Sequence, residues 1–159
     1  MNEVTLASLA RNFGWAMEDE DAVHSAEAVL RAGGRVGFCT EYGARGDLLW
    51  GATGRVDVVE DIQGLKRESW EAAFLVTHRL VDEDLKHLGF PVAVIRPKNL
   101  ALGFESEGGI SPDEVERAVS QVLCRSGLAS GSLAVLAGPE ADAGKDALAD
   151  FAGNIRLPF

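Results

Sequence analysis

The chain has 159 residues, a net charge of −10 and 47% hydrophobic residues. That apolar share supports a packed core and excludes wholesale disorder, and the length suits one ordinary domain or two small ones. The acidic balance argues against a nucleic-acid partner and against docking on anionic membranes.

Thr5 to Asn12 reads as a short helix, with Thr5 as cap, Leu6, Leu9, Ala10 and Phe13 on one face and Gly14 as the left-handed stop. A second helix follows Asp19, Glu20 and Asp21, whose charges suit its positive end. Val23, Ala26, Val29 and Leu30 form its apolar stripe, and Gly33 and Gly34 end it. Arg35 to Thr40 reads as a strand. From Glu41 to Lys66 the glycines at 43, 46, 51, 54 and 64 break any long element, with a short strand over 54–59. Then come a strand over 72–77, one or two helical turns over 82–88 and a strand over 91–96. Short apolar strands alternating with helices indicate an α/β class.

Asn99 to Phe104 reads as a further strand, and Ser111 opens the best-defined helix. Ser111 and Glu114 have capping-box spacing, and Pro112 fits the first helical position. Val115, Ala118, Val119, Val122 and Leu123 make its expected core face, and Gly127 ends it. A strand over 132–137, a helix over 145–152 and the start of another strand over 154–159 complete the pattern. The expected architecture is small mixed or mostly parallel sheets flanked by helices, in two units, 1–95 and 96–159.

Several motifs fall short of a chemistry. Gly138 to Asp146 follows a strand and precedes a helix, as a phosphate loop does. Its outer glycines are separated by five residues rather than four, and Asp146 stands where a Ser or Thr is needed. Gly33 to Gly37 runs helix to strand, the reverse of a dinucleotide site. His24, His78 and His87 have no zinc-ligand spacing, so no metal site is expected. His78 follows a strand end, where open α/β sheets bind ligands, and otherwise reads as a surface or capping residue. The acidic clusters Asp82–Glu83–Asp84 and Glu105/Glu107 read as solvated faces.

No apolar run approaches the ~20 residues of a membrane span. Met1 to Glu20 has no basic start followed by an apolar block, so no secretory signal is expected. Cys39 and Cys124 read as buried thiols in a reducing compartment, with a disulfide or a reactive thiol as the alternative. A cytoplasmic location follows as the expectation.

Arg96 and Lys98 flank Pro97 at a strand end, with Asn99 next. Proline fixes the backbone there, so the donors have defined directions. Such a cluster suits either a carboxylate ligand or salt bridges to the acidic surface.

Arg96-Pro-Lys-Asn-Leu100 and Gly103, followed by Ser111-Pro-Asp-Glu-Val-Glu116, resemble the "RPKNLVLGIGCRRGTSAEEIE" segment of the CbiG family of cobalamin-biosynthesis proteins. Leu6 to Trp15, Ala22 to Leu30, Gly33 to Phe38 and Ala73 to His78 are similar to that family's middle region. Leu100 to Phe159 is similar to the first half of its C-terminal, CobE-like domain. The resemblance implies part of a cobalt-precorrin-5A hydrolase, which opens a δ-lactone and releases acetaldehyde on the anaerobic route to vitamin B12. It implies a cobalt corrinoid as partner. The cobalt is carried by the substrate, and no separate cofactor is expected. Arg96, Lys98, Asn99, Gly103, Ser106 and Gly109 are the implied substrate-facing residues, with no catalytic base assigned.

Three departures shape what the resemblance implies. The family's N-terminal "GHxGGAN" domain has no counterpart, and the chain ends at Phe159, short of the usual C-terminal strands. Both imply a fragment or a split protein, with the N-terminal domain or other pathway enzymes as further partners. The "GCRRGT" loop becomes Glu105 to Ile110, which replaces cations with like charge and implies a divergent member. The expected role is to bind the corrinoid or dock the N-terminal domain, with hydrolysis arising in combination with it. The competing expectation is a non-catalytic accessory or interaction module that has lost the ligand site. A third is an unrelated small-molecule hydrolase.

Overall fold

The computed structural model describes residues 5–41, 55–105, 109–138 and 145–158. The chain divides into two compact units, one of residues 1–77 and 81–97, the other of residues 78–80 and 98–159. Both are α/β.

The first unit runs α1 (Leu6–Asn12), β1 (Ala16–Met17), α2 (Glu20–Arg31), β2 (Arg35–Thr40), β3 (Arg55–Val59), α3 (Ile62–Arg67), β4 (Ala72–Val76), a 3₁₀ turn (Glu83–His87) and β5 (Val92–Arg96). Its sheet order is β1-β5-β4-β2-β3. The last four are mutually parallel and β1 is antiparallel at the edge.

Successive residues of these strands enter opposite layers, because strand side chains alternate. Phe38 and Phe74 pack with Leu6, Val23, Ala26 and Leu30 from α1 and α2. Cys39, Leu75 and Val94 pack on the other face with Leu65, Trp70 and Leu85. Both faces are therefore dry, which is why β2 and β4 read as unbroken apolar runs. Gly37 is required by this second layer, since a Cβ there would lie 2.8 Å from the Leu65 side chain.

Capping fixes the helix starts as the sequence predicts. The Thr5 side chain accepts from Ser8 N and the Asp19 side chain from Ala22 N. Gly14 takes φ 66°, the left-handed stop after α1. Glu27 is a buried carboxylate the apolar stripe does not reveal. It accepts from Ala7 N at 2.9 Å, capping α1 from α2, and pairs with Arg31 at 3.3 Å.

Two elements are absent from the sequence expectation. α3 is one of them, hidden by its central Gly64, whose amide donates to Asp61 Oδ1 at 2.8 Å. β1 is only two residues long and exists through its pairing with β5.

The second unit runs β6 (Leu100–Gly103), α4 (Pro112–Arg125), a 3₁₀ turn (Ser130–Ser132), β7 (Leu133–Ala137) and α5 (Lys145–Asn154). β6 and β7 are parallel, with Gly103 beside Ala137. Residues 78–80 belong here: Ala129 N donates to His78 O and Leu80 N to Gly127 O, both at 2.8 Å. Val115, Val119 and Leu123 of α4 meet Leu148 and Phe151 of α5 over Leu133 and Leu136.

Three expectations for this unit are corrected. Val122 is 47% exposed, because α4 packs through the 115–119–123 ridge and Val122 turns off it. Cys124 is exposed, and both cysteines are free thiols. Residues 154–158 form no strand. Helix α5 runs on to Asn154, Arg156 takes φ 55° and Leu136 N donates to Pro158 O at 3.2 Å.

Candidate ligand site at the carboxyl edge of the parallel sheet

In the first unit β2 leads outward to β3, whereas β4 leads to β5 on the opposite side. The crossover direction therefore reverses between β2 and β4. In open α/β sheets ligands bind in the crevice outside the strand carboxyl ends at such a reversal.

The polar residues of the sheet collect at that edge. Thr40 ends β2, Thr77 follows β4 and Arg96 ends β5, and all three are buried. Each closes a strand whose preceding residues are apolar. The ladder brings them together: Thr40 lies one residue past the Cys39–Leu75 pair, and Thr77 N donates to Ile95 O at 3.1 Å.

Arg96 is the strongest feature. Its side chain is 1% exposed, yet its guanidinium donates through Nε to Glu18 Oε1 at 2.8 Å and through Nη1 to Thr77 O at 3.0 Å. A buried cation needs such partners, because desolvation otherwise outweighs its interactions. The Glu18 side chain is 39% exposed, so water reaches one side of the pair. Glu18 also lines a hollow of about 430 Å³ with Asp19, Val92 and Val94. The pair fixes the Arg96 side chain, and the Glu18 carboxylate on the guanidinium leaves the pair close to neutral.

The remaining sequence-predicted residues belong to the second unit. Lys98 is partly buried, and that burial pushes its ammonium below the usual lysine range. Asn99 is exposed, and its backbone N–H donates to Ser132 O at 3.1 Å. Gly103 lies with Phe104, Glu105, Ala137 and Gly138 around a shallow depression of about 370 Å³ at the carboxyl ends of β6 and β7. A Cβ at Gly103 or Gly109 would meet open space. Ser106 and Glu107 lie outside the described residues, as does most of the phosphate-loop-like segment.

Other charged groups have structural duties. Arg35 bonds Asp57 at 2.8 Å at the opposite, amino edge of the sheet, and its guanidinium lies 4.1 Å over the Trp70 ring. That bond holds the Asp57 carboxyl below the usual carboxylate range. Burial pushes the Cys39 thiol up to about 11, so it is a core residue rather than a nucleophile. Among the described residues no cluster of three or more His, Cys, Asp or Glu is placed to hold a metal. No described helix is long and apolar enough to cross a membrane.

Sequence reasoning singled out Arg96 but missed Glu18, Thr40 and Thr77. The two threonines did leave a signal, a polar residue closing an apolar strand. Glu18 left none, since its partner is 78 residues away.

An open, mostly parallel sheet with its buried polar groups gathered at the carboxyl edge defines an α/β domain. Residues 5–97, more than half of the chain, match the family model of the cobalamin biosynthesis central region. The chain belongs to that family and to cobalamin biosynthesis. The match ends at Pro97, where the first unit also ends. No curated protein and no solved structure matches the chain.

Proposed function

We propose that this chain handles the cobalt corrinoid of the lactone-opening step, the conversion of cobalt-precorrin-5A to cobalt-precorrin-5B with release of acetaldehyde. Its part is to bind and orient the macrocycle. The observation that carries the reading is the set of buried polar residues, Thr40, Thr77 and Arg96, at the carboxyl edge of the first unit's sheet, in a chain of the cobalamin-biosynthesis family. A corrin intermediate carries acetate and propionate groups around its ring. Polar groups already held in place at the edge lower the ordering cost of receiving such a ligand. Arg96 acts from inside, by holding Glu18 and the Thr77 carbonyl.

In the second unit, Lys98, Asn99, Gly103, Ser106 and Gly109 are proposed as further substrate contacts. Lys98 supplies charge, and Gly103 and Gly109 leave room for a bulky ligand. Cobalt enters with the substrate. Two free thiols suit a cytoplasmic setting.

One observation favours the accessory reading for the second unit alone: Glu105 lines its depression and repels carboxylates.

The test is acetaldehyde release from cobalt-precorrin-5A, run beside an absorbance titration of the same substrate. Saturable binding without acetaldehyde supports the reading. Acetaldehyde release would assign the hydrolytic groups to this chain, and absence of binding would leave the accessory role.

A further inference from the structure

Phe13 and Trp15 form a stacked pair, with ring centroids 5.3 Å apart and planes 29° from parallel. Trp15 packs against the core of the first unit, whereas Phe13 is 58% exposed. One ring is therefore anchored, and the other is held on it with much of its surface in water. The backbone under them is fixed: Phe13 N donates to Leu9 O at 3.0 Å and Trp15 N to Ala10 O at 2.7 Å.

The sheet register says where this pair lies. Ala16 is opposite Arg96 and Met17 opposite Ile95 in an antiparallel ladder. One step further sets Trp15 just past the carboxyl end of β5. Phe13 and Trp15 thus share the edge that holds Thr40, Thr77 and Arg96.

We propose that Phe13 and Trp15 form a platform for a flat macrocycle, with the exposed face of Phe13 against the ring. This rests on the corrinoid reading above and adds to it the residues that recognise the ring itself. The chemistry is that of stacking and apolar burial for the ring. Trp15 is a positioning residue, because it acts by holding Phe13.

The experiment is titration of the full chain with dicyanocobyrinic acid, a corrin that keeps its ring carboxylates, followed by visible absorbance. Tricarballylate, a polycarboxylate without a ring, is the comparison ligand. Phe13→Ala is expected to weaken corrin binding about tenfold and to leave tricarballylate competition unchanged. Phe13→Tyr keeps the ring and is expected to bind within about twofold of wild type. Circular dichroism checks the fold of each variant. Wild-type binding that Phe13→Ala leaves intact would overturn the platform and spare the corrinoid reading. No saturable binding by the wild type would overturn both.

Discussion

β4 in the first unit and β6 in the second are both short apolar strands, but they sit in different surroundings. Every residue of β4 from Ala72 to Val76 is buried, because helices and turns cover both faces of its sheet. In β6, Leu100 and Leu102 pack on the core, whereas Ala101 and Gly103 are exposed. The first unit has the layered parallel sheet that creates a crevice where crossovers reverse, and the second has two strands over one helical layer. The same strand chemistry therefore serves a two-layered sheet in one unit and a small single core in the other. Buried polar residues follow the same division. Thr40, Thr77 and Arg96 stand at strand ends of the first unit, while Ser132 is the buried polar residue of the second among the described residues.

The comparison breaks most easily at the first unit's double layer. Phe74 is 0% exposed between Phe38 and Ala93 in the sheet. Phe74→Ala is expected to cost about 3–5 kcal/mol, read from denaturant unfolding. A cost below about 1 kcal/mol would mean the layer is not packed as described. In the second unit Leu148 is also 0% exposed. Leu148→Ala is expected to cost about 2–4 kcal/mol and to remove hydrogen-exchange protection from β6, β7, α4 and α5. Unchanged protection there would contradict a single shared core.

The ion pair gives a smaller effect. Glu18→Gln keeps the shape and removes the charge that Arg96 faces. It is expected to cost about 1–3 kcal/mol, below the value for a fully buried pair because Glu18 is 39% exposed. A thermal melt at neutral pH measures it, and an unchanged midpoint would reduce the pair to a surface contact.

The smallest effect is at the start of α4. Ser111→Ala is expected to cost about 1 kcal/mol. The Ser111 amide and hydroxyl hold Glu114 below the usual glutamate range. A depressed folded pKa gives stability that is present above the unfolded value and lost as pH falls through the folded one. The gap between wild type and Ser111→Ala should therefore narrow as the solution is acidified below the ordinary glutamate range. A gap independent of pH would rule out the Glu114 contribution.

Much of this was legible because local signals agreed. The Thr5 and Ser111 caps and the positive-φ Gly14 and Gly127 marked helix ends directly. What escaped reading depends on partners far along the chain. β1 exists only against β5, Glu27 is buried because it caps another helix, and Glu18 matters because Arg96 faces it. Val122 misled because five apolar positions on α4 offer two ridges, and packing against α5 and β7 selects one. The candidate site followed the same rule. Arg96 was readable beside Pro97, but its burial against Glu18 and Thr77 belongs to tertiary structure.

The most direct test of the central claim is hydrogen exchange on the chain with and without cobalt-precorrin-5A. The account predicts new protection at the carboxyl edge of the first unit, in the segments holding Trp15 to Met17, Thr40, Thr77 and Arg96. Protection confined to the second unit, or no change at saturating substrate, would contradict it.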